Sequence, residues 1–97
     1  MAATALLTNK TTSGAGTGVS VTGPCTVFFT GDGVFGGARV EIQVALTDVD
    51  AKYSYAGKGS VVTRSEPTNI SAIGAYYIRA KVFDAGATTN ISASVNQ

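Results

Sequence analysis

Histidine and tryptophan are absent from this 97-residue chain, and cysteine occurs once. Without histidine, Ser-His-Asp and Cys-His nucleophilic arrangements are excluded, as is any metal site built on imidazole. Cys25 has no partner for an internal disulfide and no base to activate it. It sits in a strand-like run and reads as a small buried hydrophobe. Charge is sparse as well: Asp, Glu, Lys and Arg make up 13% of the chain, and the net charge is +1. The cations Lys10, Arg39, Lys52, Lys58, Arg64, Arg79 and Lys81 are scattered. No cluster stands ready to displace the counterions of a nucleic acid. No apolar run approaches the about 20 residues that span a bilayer. The first seven residues lack the cationic start and long apolar core of a signal peptide. The expectation is a soluble chain made in a cytoplasm, not an enzyme, with no cofactor, no metal, no nucleic-acid partner and no membrane partner.

What is present is a period of two. Across residues 38–46 the chain reads A-R-V-E-I-Q-V-A-L, with Ala38, Val40, Ile42, Val44 and Leu46 on one parity. That pattern puts one strand face on a core and the other in water. Residues 75–84 repeat it, with Tyr76, Ile78, Ala80 and Val82 opposed to Tyr77, Arg79, Lys81 and Phe83. Further strands are predicted at about 5–9, 18–22, 25–30, 52–55, 59–63, 68–73 and 88–95. Gly23-Pro24, Gly31-Asp32-Gly33, Gly36-Gly37, Gly57-Lys58-Gly59, Ser65-Glu66-Pro67 and Ala85-Gly86-Ala87 punctuate them. No segment shows apolar residues at helical spacing. The class is therefore all-β: an antiparallel two-sheet sandwich, jelly-roll or Ig-like, or a small barrel, of seven to eight short strands. The polar, Gly-rich stretch T-T-S-G-A-G-T-G at 11–18 reads as a loop. It suggests a flexible N-terminal arm over 1–18 and a single sandwich domain over 19–97. The expected core is Val19, Val21, Val27, Phe29, Val40, Ile42, Val44, Ile78, Ala80, Val82, Ile91, Ala93 and Val95.

Little of the remaining chemistry is catalytic. The carboxylates are Asp32, Glu41, Asp48, Asp50, Glu66 and Asp84, and only Asp48 and Asp50 are close in sequence. A D-x-D fragment opens some calcium loops, but the residues after it supply no further oxygen ligands at that spacing. Gly14, Gly16 and Gly18 superficially resemble a phosphate loop, yet neither a G-K-[ST] ending nor a helix follows. The N-x-[ST] triplets at Asn9, Asn69 and Asn90 arise easily in a chain so rich in Ser and Thr. The aromatic residues are more informative. Phe28, Tyr77 and Phe83 fall on strand faces opposite the expected core, and Tyr53 and Tyr55 share a parity. These five are candidate interface residues, because exposed aromatics anchor protein contacts or stack on sugars. A thin sandwich with aromatics on both faces of some strands, or a parity that differs locally, also accounts for them. The low charge likewise suits either a chain packed against other subunits or a sandwich with many turns.

Three stretches together carry a resemblance. They are L-L-T-N-K-T-T-S-G-A-G-T-G-V-S-V-T-G followed by T-V-F-F-T-G; A-R-V-E-I-Q-V-A-L-T-D-V-D; and G-A-Y-Y-I-R-A-K-V-F-D-A-G-A-T-T-N-I-S-A-S-V. From Leu6 to Val95 this layout resembles the small β-sandwich virion proteins of tailed bacteriophages. One element departs: D-V-D-A-K-Y stands where the family commonly has D-G-x-x-W, with Tyr53 near the Trp position. The resemblance implies a non-enzymatic structural protein of the virion. Such a protein is a capsid decoration or cement protein that binds the major capsid protein or other virion subunits and self-associates, with a trimer favoured. The alternative is a tail or fibre accessory domain, a role the resemblance also implies, that binds a host-surface glycan or another tail protein; for a glycan, the aromatic residues Tyr53, Tyr55 or Tyr77 would be the contact.

Overall fold

The computed structural model describes residues 3–29, 35–57, 60–64 and 66–96. Ten strands are found among them: β1 (Ala3–Lys10), β2 (Gly14–Ala15), β3 (Val19–Thr22), β4 (Cys25–Phe29), β5 (Arg39–Ala45), β6 (Ser54–Tyr55), β7 (Val61–Val62), β8 (Thr68–Ile70), β9 (Ala75–Phe83) and β10 (Ile91–Asn96). One sheet runs β1-β10-β4-β8. The other runs β2-β9-β5-β6, with β3 also on β9 and β7 also on β5. Every pairing is antiparallel. The chain is therefore an all-β sandwich of two packed antiparallel sheets. The count exceeds seven to eight because β2, a two-residue pairing inside the expected loop at 11–18, carries no period to detect; β6 and β7 fall within the expected 52–55 and 59–63 but are reduced to two residues each. The expected turn at Gly31–Gly33, the strand end at Thr30, and Lys58, Gly59 and Ser65 lie outside the described residues.

The alternation in β5 and β9 builds the second sheet's inner face. Val40 pairs with Val82, Ile42 with Ala80 and Val44 with Ile78. Residues directly opposite on an antiparallel pair share a face, so these six side chains line the core together. Val40, Ile42, Ile78 and Ala80 have no solvent exposure. Val27, Ile91 and Ala93 do the same for the first sheet. Each fully buried Val or Ile among these contributes about 1.5–3 kcal/mol. Val19, Phe29 and Val44 are only partly buried and pack at the margin of the core. Leu46 shares the apolar parity of β5 but lies one residue beyond its end and is 85% exposed. Pairing ends there, and the chain turns away from the sheet before that side chain reaches the core.

The division into an arm over 1–18 and a sandwich from 19 is corrected by the structure. Residues of the expected arm form β1, which pairs with β10, and β2, which pairs with β9. Leu6 and Leu7 are both in the core, at 2% and 4% exposure. Two adjacent residues reach one side because the register slips between Ala5 and Leu7, a bulge that places two residues of β1 against one of β10. A second slip follows before Lys10. There Asn9 takes a positive φ of 47°, a conformation Asn tolerates, and its N–H donates to Ser92 Oγ. Core membership also extends to Cys25, Phe35, Ala38, Val62, Ile70 and Tyr76.

Candidate interaction surface

Four of the five candidate aromatics gather on the outer face of the second sheet or over it. The β5–β9 register lays out that face as cross-strand pairs: Arg39 with Phe83, Glu41 with Lys81, Gln43 with Arg79 and Ala45 with Tyr77. Tyr55 sits opposite Gln43 and Val61 opposite Glu41, so both edge residues share the face. Phe83 receives two cations: the Arg39 guanidinium lies 4.6 Å and the Lys81 ammonium 5.2 Å from its ring centre. Arg39 also forms an ion pair with Asp84. Phe28 is separate; it projects from β4 on the outer face of the first sheet, opposite Ser94, and is 43% exposed.

Arg79 is the hub, a role its sequence context does not announce. Its position in Y-Y-I-R-A-K-V-F assigns it to the polar face, yet it is 7% exposed. Its Nε donates to Gln43 Oε1 at 2.8 Å, and its Nη1 donates to Asp50 Oδ1 at 2.8 Å. The guanidinium lies 4.1 Å from the centre of the Tyr53 ring. Tyr53 is fixed in turn, its hydroxyl donating to Asp48 Oδ1 at 2.7 Å. Gln43 completes the chain by donating to Glu41 Oε1. The turn that carries Asp48, Asp50 and Tyr53 is thereby folded down on the sheet, through a single 3-10 turn at Asp50–Lys52. The Arg79 hydrogen bond, followed by its charge, holds the Asp50 carboxyl below its ordinary pKa. Burial, then the Asp48 contact, raises the Tyr53 phenol, so it stays protonated and a donor.

These contacts set what the surface offers. Tyr53 has a cation over its ring and its hydroxyl committed, and Phe83 is flanked by two cations. A sugar needs a free ring face for stacking, and of the five only Phe28 at 43% and Tyr55 at 47% are substantially open. Tyr77 is half-buried between Ser20 and Ala45. Among the described residues no group of three His, Cys, Asp or Glu is placed to hold a metal. Among the described residues no helix is long and apolar enough to cross a membrane.

Parity reasoning did not single out two other residues. Ile73 is 92% exposed and Leu46 85%, and both line one open groove of about 310 Å³ together with Val44, Ala45, Lys52, Ser54, Ala72 and Tyr76. Gly74, at φ 83°, turns the chain directly after Ile73, and its carbonyl accepts from Gly23 N–H. Tyr76 is 5% exposed, and its hydroxyl donates to the Gly23 carbonyl at 2.7 Å.

No family model, curated protein or solved structure matches this chain.

The Arg79 hub carries its own test. Arg79→Ala leaves Gln43 Oε1 without its donor and uncovers Tyr53, and is expected to lower stability by about 1–3 kcal/mol in urea. The exposed Asp50 end of the pair contributes little of this, because water screens it. Asp50 has a lowered folded pKa, so its contribution is present above the ordinary carboxylate value and fades as pH falls through the folded value. Denaturation curves followed by tyrosine fluorescence across the acid range should show that fading in the parent chain and not in Arg79→Ala.

Proposed function

We propose that this chain is a non-enzymatic structural protein of a bacteriophage virion, a capsid decoration protein that binds the head shell and stabilises it. One observation carries the reading: large apolar side chains stand in water on three sides of the sandwich. Phe28 projects from the first sheet, Tyr55 and Val61 from the edge of the second, and Leu46 and Ile73 from one groove. Single exposed hydrophobes are ordinary; here Leu46 and Ile73 stand together at one groove, which supports a contact surface. Apolar contacts on several sides suit a cement that touches several shell subunits and copies of itself at once. Individually weak contacts then combine into firm attachment. The resemblance to the phage sandwich proteins supports the same reading, as does the low charge of the chain, 13%.

Its partners under this reading are the major capsid protein and other virion subunits, and its location is the virion. Mixing the purified chain with undecorated shells and sedimenting them tests it. The chain is expected in the pellet, and the decorated shells are expected to open at a higher temperature than bare ones. A chain left wholly in the supernatant contradicts the proposal.

A further inference from the structure

We infer that the outer face of the first sheet binds a neutral oligosaccharide, with Phe28 as the stacking platform and the hollow beside it as the seat of the adjoining sugar unit. The inference goes beyond the shell reading: it leaves the shell to the edge of the second sheet and the Leu46–Ile73 groove, and gives this face a ligand of its own. The register of the first sheet lays the face out in two rows. Asn69 stands opposite Thr26, Thr26 opposite Asn96 and Asn96 opposite Ala3. Phe28 stands opposite Ser94, and Ser94 opposite Ala5. Residues directly opposite share a face, and along β4 Thr26 and Phe28 share it as well. The small side chains of Ser94 and Ala5 leave the Phe28 ring open, at 43% exposure. Two residues along the strand, about 7 Å away, Thr26 lines a hollow of about 390 Å³ together with Asn69, Ser71 and Asn96. Small-ligand sites measure about 300–1,000 Å³.

What lines this face selects the class of ligand. Among the described residues, the only charged member of its four strands is Lys10, at the far end of β1 and opposite Ile91. The second sheet instead carries Arg39, Glu41, Arg79 and Lys81 on its outer side. A nucleic acid requires clustered cations, and an acidic glycan requires at least one; the Phe28 face offers neither. Phe28 is also the one large exposed hydrophobe there among the described residues, a small patch against the about 800 Å² per partner of a standard protein interface. What remains is hydroxyls and amides around one open ring. Thr26 Oγ1 donates to Asn69 Oδ1 at 2.9 Å. That bond holds the amide by its oxygen. No described residue accepts from the Asn69 N–H groups, and the Thr26 oxygen keeps its lone pairs. A neutral sugar presents neighbouring hydroxyls, each donor and acceptor, around a ring whose C–H faces are apolar. The hydroxyls fit the fixed amide–hydroxyl pair, and the C–H face fits the aromatic ring. Tyr55, the other open ring, lacks this neutral surround: it stands opposite Gln43, which is bonded to both Arg79 and Glu41.

Titration of the full chain, without shells, against cellohexaose, maltohexaose and mannohexaose as neutral probes and hexagalacturonate as the acidic one tests this, followed by amide NMR spectra. At least one neutral hexamer is expected to bind with a dissociation constant on the order of 1 mM. It should move the signals of Thr26, Phe28, Asn69, Ser94 and Asn96 and leave those of Gln43 and Tyr55 in place. Binding is expected to be indifferent to salt, as a neutral ligand requires. Phe28→Ala is expected to weaken it about tenfold and Asn69→Ala about fivefold. Phe28→Tyr, which keeps the ring, and Tyr55→Ala are expected to bind like the parent chain. Phe28 and Asn69 are both exposed, so circular dichroism should stay unchanged in their variants. No binding of any neutral hexamer up to about 10 mM overturns the inference. So does a preference for hexagalacturonate, or a set of moved signals centred on Tyr55. Shell sedimentation of Phe28→Ala separates the two readings. The variant is expected to pellet as the parent does; one that stays in the supernatant gives this face to the shell and overturns the inference. A parent chain that binds a neutral hexamer through Phe28 but never pellets with shells leaves the inference standing, and the decoration reading falls.

Discussion

Leu6→Ala is expected to lower the stability of the chain by about 2–5 kcal/mol, the range for deleting a buried leucine side chain. Leu6 is 2% exposed and belongs to the main core cluster with Val27, Ile91 and Val95. It is held there from two sides: β1 pairs with β10, and the Leu6 carbonyl accepts the Thr17 N–H at 3.1 Å. Thr8, exposed on the same strand, provides the comparison, since Thr8→Ala should change stability by about 0.5 kcal/mol or less. Urea denaturation of the two variants decides whether β1 is structural. A detached arm predicts no difference between them. A core strand predicts a large one, and for a domain of this size a loss of several kcal/mol is a substantial fraction of the total. Removing β1 altogether is expected to be worse still, because it uncovers the edge of β10 and leaves the first sheet open for pairing with other chains.

How much of this was legible in the sequence depends on the range of the interaction. β5 and β9 were legible because each keeps its alternation for seven residues or more with the same face inward. The outer placement of Phe28, Tyr77 and Phe83 followed from that same parity. A strand at about 5–9 was legible, but its place in the core was not, because the bulge puts Leu6 and Leu7 on one side and two adjacent buried residues do not register as a period of two. The polar, glycine-rich segment after it looks like a loop for good reason, since its two-residue strand β2 has no pattern to detect. Strand order was beyond reach. Whether residues 38–46 and 88–95 lay inside or at an edge depends on partners far along the chain. In the structure β5 lies between β9 and the short β6 and β7, and β10 lies between β1 and β4. The candidate site shows the same limit. Arg39 reaches Phe83, and Arg79 reaches Asp50 from 29 residues away, through a register that only the assembled sheet defines. The exposure of Leu46 and Ile73 escaped because the expected strands 38–46 and 68–73 end sooner, at Ala45 and Ile70, so parity was carried past the last paired residue.

Gly16→Ala is expected to be the most damaging of the small substitutions in the chain, at about 1–3 kcal/mol or more. Gly16 lies between β1 of the first sheet and β9 of the second. Its N–H donates to the Ala80 carbonyl of β9 at 2.8 Å, while the next N–H, of Thr17, donates to Leu6 of β1. No unusual backbone angle requires glycine there; the constraint is space. A methyl group added at Gly16 runs into the Leu6 carbonyl oxygen and Leu7 Cδ2. Leu7 can change rotamer, but the Leu6 carbonyl is backbone and is already fixed by the Thr17 hydrogen bond. The clash is relieved only if β1 moves away from β9, which opens the core at Leu6. Gly18 offers the contrast. A methyl group there meets the Asp48 carboxylate and the Tyr53 hydroxyl, both ends of side chains on an exposed turn that is able to shift. Gly18→Ala should therefore release the Tyr53–Asp48 bond and lower stability by about 1 kcal/mol, with the fold intact. Thermal denaturation followed by circular dichroism ranks the two. Leu7→Ala removes a core side chain and is costly alone, but in a double-mutant cycle it should cost less together with Gly16→Ala than the two separate losses added, the shortfall being smaller than the Gly16→Ala loss because the backbone clash with Leu6 remains. Equal effects at Gly16 and Gly18, or a cycle in which the Leu7→Ala coupling accounts for the whole Gly16→Ala loss, contradict the close approach of β1 to the second sheet.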